Sequence, residues 1–360
     1  MPDSLATSAV SARRGERTAA PNAMNLIVTP VGADSDLRAV LEDLKMGRYS
    51  AARDLLIRTG GNWSLYASRS QRLTDSAAGR GVLKMWRDEE PRSPHAATLW
   101  AWSLTRGAID LHRGGAKTDV VGRAAAMAQQ EWKKVDELWP HSPEPWSGRL
   151  LLSQLPYDAR YFDPYWRNRQ EPWNKLADPV MHHEGPWPLL DEVNRRHPGS
   201  RDGHHRMREY FLHRHGASVS SQYTHWLVAG GQLNPELLVL PLYSQMDLYR
   251  ERHSDGRNSA LQFWQTEQVR HFANRAYDGW FAHIPRTEYA WVSPWDLNHL
   301  AHALVGCGET ERAAWVFRAL GPYATPQPWK DVLESLGRSR DWTDEFLRIR
   351  TTVLGRGAPR

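Results

Sequence analysis

The residues best equipped for chemistry fall in two short stretches. His182, His183 and Glu184 are consecutive, and the run from Arg201 to His215 adds His204, His205, Arg208, Glu209 and His213. If the second stretch is helical, His205, Glu209 and His213 lie four residues apart on one stripe. His205/Glu209 or Glu209/His213 then meet over a single turn and could share a metal ion. His205 and His213, eight residues apart, are separated by about 12 Å of helix rise and cannot both bind it. A further ligand would have to come from His182, His183 or Glu184. The sequence holds no His-Glu-x-x-His and no cysteine pair, so no metal or other cofactor is expected. Imidazoles titrate near neutral pH, and under an enzymatic reading His182, His183, Glu184, His204, His205 and Glu209 would supply acid/base groups. The plainer reading is a solvated, arginine-rich helix face.

A second candidate site lies in residues 155–188, a connection with six Pro, three Trp and three Tyr. Tyr161, Trp166, Arg169, Trp173 and Trp187, with Arg208 from the neighbouring stretch, suit a ligand held by stacking, cation–π contacts and edge hydrogen bonds. So long an irregular segment is either functional or a missed element. Against it stands the reading that the tryptophans pin a proline-rich connection to helices beneath.

Helices must position these residues. Past about Ser35 the apolar periodicity is helical, and Leu26 to Val31 is the lone strand-like run. Ser93-Pro94 places an N-cap before a proline at the first helical position, followed by a stripe of Ala97, Trp100/Ala101, Leu104, Ala108 and Leu111. Ser142-Pro143 opens another helix, running to Leu155. Ser293-Pro294-Trp295-Asp296 repeats the start and adds an acid three residues after the cap, a capping-box arrangement. A longer helix is predicted from Ser259 to His283.

Leu300 to Phe317, with a tight turn at Gly308 and with Ala313 and Phe317 at small and aromatic positions, resembles the tetratricopeptide repeat. Val40 to Leu56 has the same shape around Gly47 and Ala52, and Ala128, Trp132 and Val135 form a half-unit ending at Trp139-Pro140. The resemblance implies an all-α fold of stacked antiparallel helix hairpins, a tetratricopeptide-like solenoid. Val82 to Trp146 carries a second likeness. Trp86, Pro91, Ser93, Ala101, Trp102, Arg106 and Gly107, then Pro140, Ser142, Glu144, Pro145 and Trp146, form a pattern similar to an uncharacterised bacterial family of tryptophan-rich helical repeats. That family brings no catalytic residues with it. The organisation expected is an extension at 1–34, helical repeats at 35–154, the connecting loop at 155–188, and helical repeats at 189–360.

The chain has 360 residues, with 46 Lys+Arg against 41 Asp+Glu and a pI near 9.3. The basic residues are spread along the chain rather than gathered into a stripe, which argues against a nucleic-acid binder. No run of 18 apolar residues occurs, so no membrane partner is expected. The polar stretch from Met1 to Ala23 lacks the apolar core of a secretory signal; a cytoplasmic location follows, with Met24 as an alternative start. Walker A, Gly-x-Gly-x-x-Gly and Gly-x-Ser-x-Gly motifs are missing, as is the aspartate-rich magnesium motif of terpene cyclases. The single cysteine, Cys307, excludes a disulfide framework and reads as a small buried residue. Tryptophan outnumbers phenylalanine by 18 to 7. Trp100, Trp132, Trp264, Trp280 and Trp315 fall on predicted helix stripes, whereas Trp166, Trp173 and Trp187 do not. The function expected is a non-catalytic scaffold binding a protein or peptide through a concave face. The alternative is an enzyme acting on a small molecule or peptide between the 155–188 loop and the 201–215 helix.

Overall fold

The computed structural model describes residues 26–75, 80–155, 183–230, 234–253, 260–338 and 340–356. Local chemistry sets the first helices. Asp34 caps α1 (Ser35–Lys45) by accepting from the Leu37 N–H at 3.0 Å, and Gly47, at φ +81°, turns the chain into α2 (Ser50–Thr59). Val40, Leu44, Ala52, Leu55 and Leu56 bury the facing sides of this pair. α3 (Trp63–Asp75) and α4 (Arg80–Glu89) follow. Ser93 caps α5 (Pro94–Arg113), as the Ser-Pro signal predicts, and α5 packs along α6 (Thr118–Leu138) more extensively than any other helix pair. Trp102 and Trp132 meet edge to face between them, with ring centroids 5.1 Å apart. α7 (Glu144–Ser153) closes this half, and Gly148 leaves the space that the Trp132 ring fills.

The predicted stripe on α5 needs correction. Ala97, Ala101 and Ala108 are buried, but Trp102 rather than Trp100 is the fully enclosed tryptophan, and Leu111 is exposed. α5 is covered on several sides, by α3 and α4 as well as α6 and α7, so one stripe underestimates its buried surface.

Beyond the undescribed residues 156–182 the chain is helical again from Trp187, inside the span assigned to a loop. Pro186 and Pro188 flank the start of α8 (Trp187–Arg196), where proline lacks only an N–H that the helix would leave unpaired. Ser200 caps α9 (Arg201–His215), and α10 (Ala217–Ala229) follows after Gly216. A 3-10 turn (Pro235–Val239) leads into α11 (Leu240–His253). The helix expected over 259–283 is divided. Its first part is the short α12 (Ala260–Phe263), and Thr266 then caps a new helix, α13 (Glu267–Gly279). Two 3-10 turns (Phe281–His283 and Arg286–Trp291) precede α14 (Pro294–Gly306). The capping box anticipated there does not form: the Ser293 side chain makes no cap bond, and Asp296 turns inward.

α14 and α15 (Thr310–Leu320) pack on one another across Gly308, which adopts φ +85°; Cys307, Ala313 and Phe317 are buried. α16 (Trp329–Ser335) and α17 (Trp342–Arg356) complete the helices. Trp315, expected in the core, is instead 43% exposed and lies under the guanidiniums of Arg286 and Arg318. The strand-like run near the start is β1 (Ile27–Val28), paired in parallel with β2 (Tyr323–Ala324). With seventeen helices and two short strands among the described residues, the fold is all-α. α9 packs against α3 and α7 on one side and α10 and α11 on the other, which places it at the seam between the earlier and later helices.

Candidate functional site

α9 is largely buried where a solvated face was the plain expectation, and only its last turn, His213 to His215, is exposed. Its His204, Arg206 and Arg208 are each about 5% exposed. Charged side chains survive there because each finds a counter-charge: Arg206 within α9, Arg201 and Arg208 on other helices. Arg206 points toward α3, α5 and α7. It bonds Gln71 and Glu209, the latter at 2.7 Å, and sits 3.2 Å from Asp202. Arg208 pairs with Asp247 on α11, and Arg201 pairs with Asp296 on α14, which also accepts from the Tyr243 hydroxyl at 2.5 Å. Burial alone would raise the Glu209 carboxyl, but the guanidiniums of Arg206, Arg208 and Arg106 outweigh it and hold the group at about 2.

The predicted histidines diverge. His204 lies 2.7 Å from the Tyr223 hydroxyl on α10, and burial lowers it to about 4. His205 packs edge-on against Tyr243, which stacks on His299 at 3.8 Å. Burial, with Arg201, Arg208 and Arg206 nearby, pushes His205 well below its ordinary value, and burial takes His299 to about 3. All three imidazoles are neutral near pH 7. The His205–Glu209 stripe does exist, with Nε2 and Oε1 3.8 Å apart. His183 and Glu184 are not brought to it. The His183 ring sits 5.8 Å from that of His215, at the opposite end of α9 from Arg201, about 21 Å away along the helix. Trp187 belongs to the core, against Phe211, Tyr223 and Trp226, with its indole N–H donated to the His183 carbonyl. Tyr161, Trp166, Arg169, Trp173 and His182 lie outside the described residues. Among the described residues no group of three or more His, Cys, Asp or Glu is placed to hold a metal.

Two features escaped the sequence reading. The first is Glu144, which stood within the proline–tryptophan motif. Its carboxylate is fully buried where α3, α5 and α7 meet, accepting from Ser70 Oγ at 3.0 Å and Trp102 Nε1 at 2.6 Å. Burial and the nearby Asp202 raise it to about 7 against those two hydrogen bonds and the pull of Arg206, and its Oε1 has no donor among the described residues.

The second is a cleft of about 230 Å³ between α3 and the segments around 197–202, 236 and 280–296. Trp63, Trp280 and Trp291 line it, the last half exposed. Arg72, Arg201, Asp202, Glu236, Glu288 and Asp296 supply its charge. Glu236 bridges the walls by accepting from Ser64 Oγ on α3 at 3.1 Å. No single stretch of sequence signals this cleft, because its walls come from four separate regions. No protein-family model matches the chain, and no curated protein matches it in sequence. Fold and site together define an all-α protein with a charged seam and one tryptophan-walled cleft opening onto it.

Proposed function

We propose that the chain is a non-catalytic scaffold of stacked helix hairpins, tetratricopeptide-like, that binds a protein or peptide partner in the cleft beside α3. The observation that carries this reading is the cleft itself: it combines aromatic walls with polar groups at a junction of several helices, the usual make-up of a recognition site. The enzymatic alternative has less to rest on. His204, His205 and Glu209 are enclosed in packing, neutral or ion-paired, and His183 and Glu184 stand at the other end of α9.

Selection of displayed random heptapeptides on the purified protein tests the proposal. Ser68 of α3 also lines the cleft, and selected peptides should bind at least tenfold more weakly to Ser68→Trp, which fills it. Failure to select any binder, or binders indifferent to the substitution, would sink the reading.

A further inference from the structure

We infer that the cleft takes a cationic side chain, a guanidinium or ammonium, with Glu236 as its counter-ion and tryptophans as its walls. This rests on the peptide-binding reading and adds the chemistry of the residue bound. Both guanidiniums lining the cleft are engaged already. Arg201 is committed to Asp296, and Arg72 lies 3.4 Å from Asp75 with its Cζ 5.8 Å from the centre of the Trp295 ring. An anionic ligand would have to compete with those carboxylates.

The carboxylates are less completely matched. Glu236 accepts from the Ser64 hydroxyl, and no guanidinium, ammonium or imidazole pairs with it among the described residues. Burial, with Asp296 nearby, raises its carboxyl above the ordinary range against hydrogen bonds from Ser64 and Asn234 and the pull of Arg201. Asp202 leans on Arg206 through Oδ1, while its Oδ2 is buried without a donor. Glu288 stands exposed on the wall formed by residues 280–296. A cation entering here would meet the Glu236 carboxylate, which has hydrogen bonds but no ion pair, and its alkyl stem would lie along Trp280 and Trp291. Tryptophan faces favour such an occupant through cation–π attraction, and partial desolvation strengthens both contacts.

Synthetic hexapeptide pools that are basic, neutral or acidic, titrated calorimetrically into the intact protein, test the inference. The basic pool should bind about tenfold more tightly, the worth of one partly desolvated cation contact. Glu236→Gln keeps an acceptor for Ser64 and should abolish that preference without lowering the melting temperature. Acetylarginine amide should displace a basic peptide from the unmodified protein, and acetylcitrulline amide, of the same shape without the charge, should not; this comparison requires no variant. Equal binding of the three pools, or a preference that survives Glu236→Gln, overturns the cationic specificity and leaves peptide binding standing. If no pool binds, both fall.

Discussion

The Trp102 indole N–H points at the Glu144 carboxylate across 2.6 Å, so a tryptophan of α5 holds an acid of α7 in the interior. Burial nonetheless keeps the proton on this acid up to about pH 7, against 4.5 ordinarily. A group whose folded pKa is raised contributes stability that is full below about 4.5 and is lost as pH climbs through about 7. Glu144→Gln mimics the protonated acid. Denaturant unfolding from about pH 5 to 8 should show the variant gaining on the unmodified protein as pH rises, by on the order of 3 kcal/mol in all. The difference between the two proteins cancels the opposing trend of His204 and His299, whose lowered pKa values make folding weaken as pH falls below about 6.5. Parallel pH profiles would show that Glu144 does not titrate in this window.

Gly148 is fixed by the neighbouring helix. A Cβ there would overlap the indole of Trp132, and both residues sit inside the junction of α6 and α7. Gly148→Ala, ordinarily favourable in a helix, should cost about 1–3 kcal/mol or more through overpacking. The double variant with Trp132→Phe should recover part of that loss, and thermal melting of the pair measures it.

Arg201 and Asp296 form a pair whose side chains are 17% and 5% exposed. Removing one partner strands the other, so Asp296→Ala should destabilise by about 3–5 kcal/mol. Replacing both with leucine should cost much less than the two single changes added together. Additive losses in that cycle would mean that the pair is not coupled.

Two tryptophans provide a contrast of location. Trp187→Ala should remove about 3–5 kcal/mol because the side chain is enclosed by Phe211, Tyr223 and Trp226. Trp315→Ala, on the surface between two arginines, should change stability by about 1 kcal/mol or less. Chemical denaturation of both variants separates them; equal losses would contradict the packing described.

Features written in neighbouring residues were legible before the structure. Ser93-Pro94, Gly47 and Gly308 mark helix starts and turns because caps and positive φ angles act over a few positions. His205 and Glu209 were placed on one stripe by helix periodicity alone. The burial of α9 was not legible. A helix this rich in arginine and histidine reads as solvated until its partners are known, and those partners are remote: Arg206 meets Gln71 across 135 residues, and Arg201 meets Asp296 across 95. Trp187 was hidden for a simpler reason. Pro186 and Pro188 mark a loop equally well as a first helical turn, and only the packing of Phe211 and Tyr223 decides between them.

The short parallel ladder has a consequence for the order of events during synthesis. β1 bonds to β2 through Ile27 and Thr29, and Arg38 adds a 2.6 Å bond to the Tyr323 hydroxyl. At a ribosome speed of roughly 5–20 residues per second, the second strand emerges tens of seconds after the first. α1 and α2 can dock early, yet the two-residue ribbon ahead of them must wait until Tyr323 and Ala324 have been made. During that delay its unpaired backbone edge is open to other nascent chains.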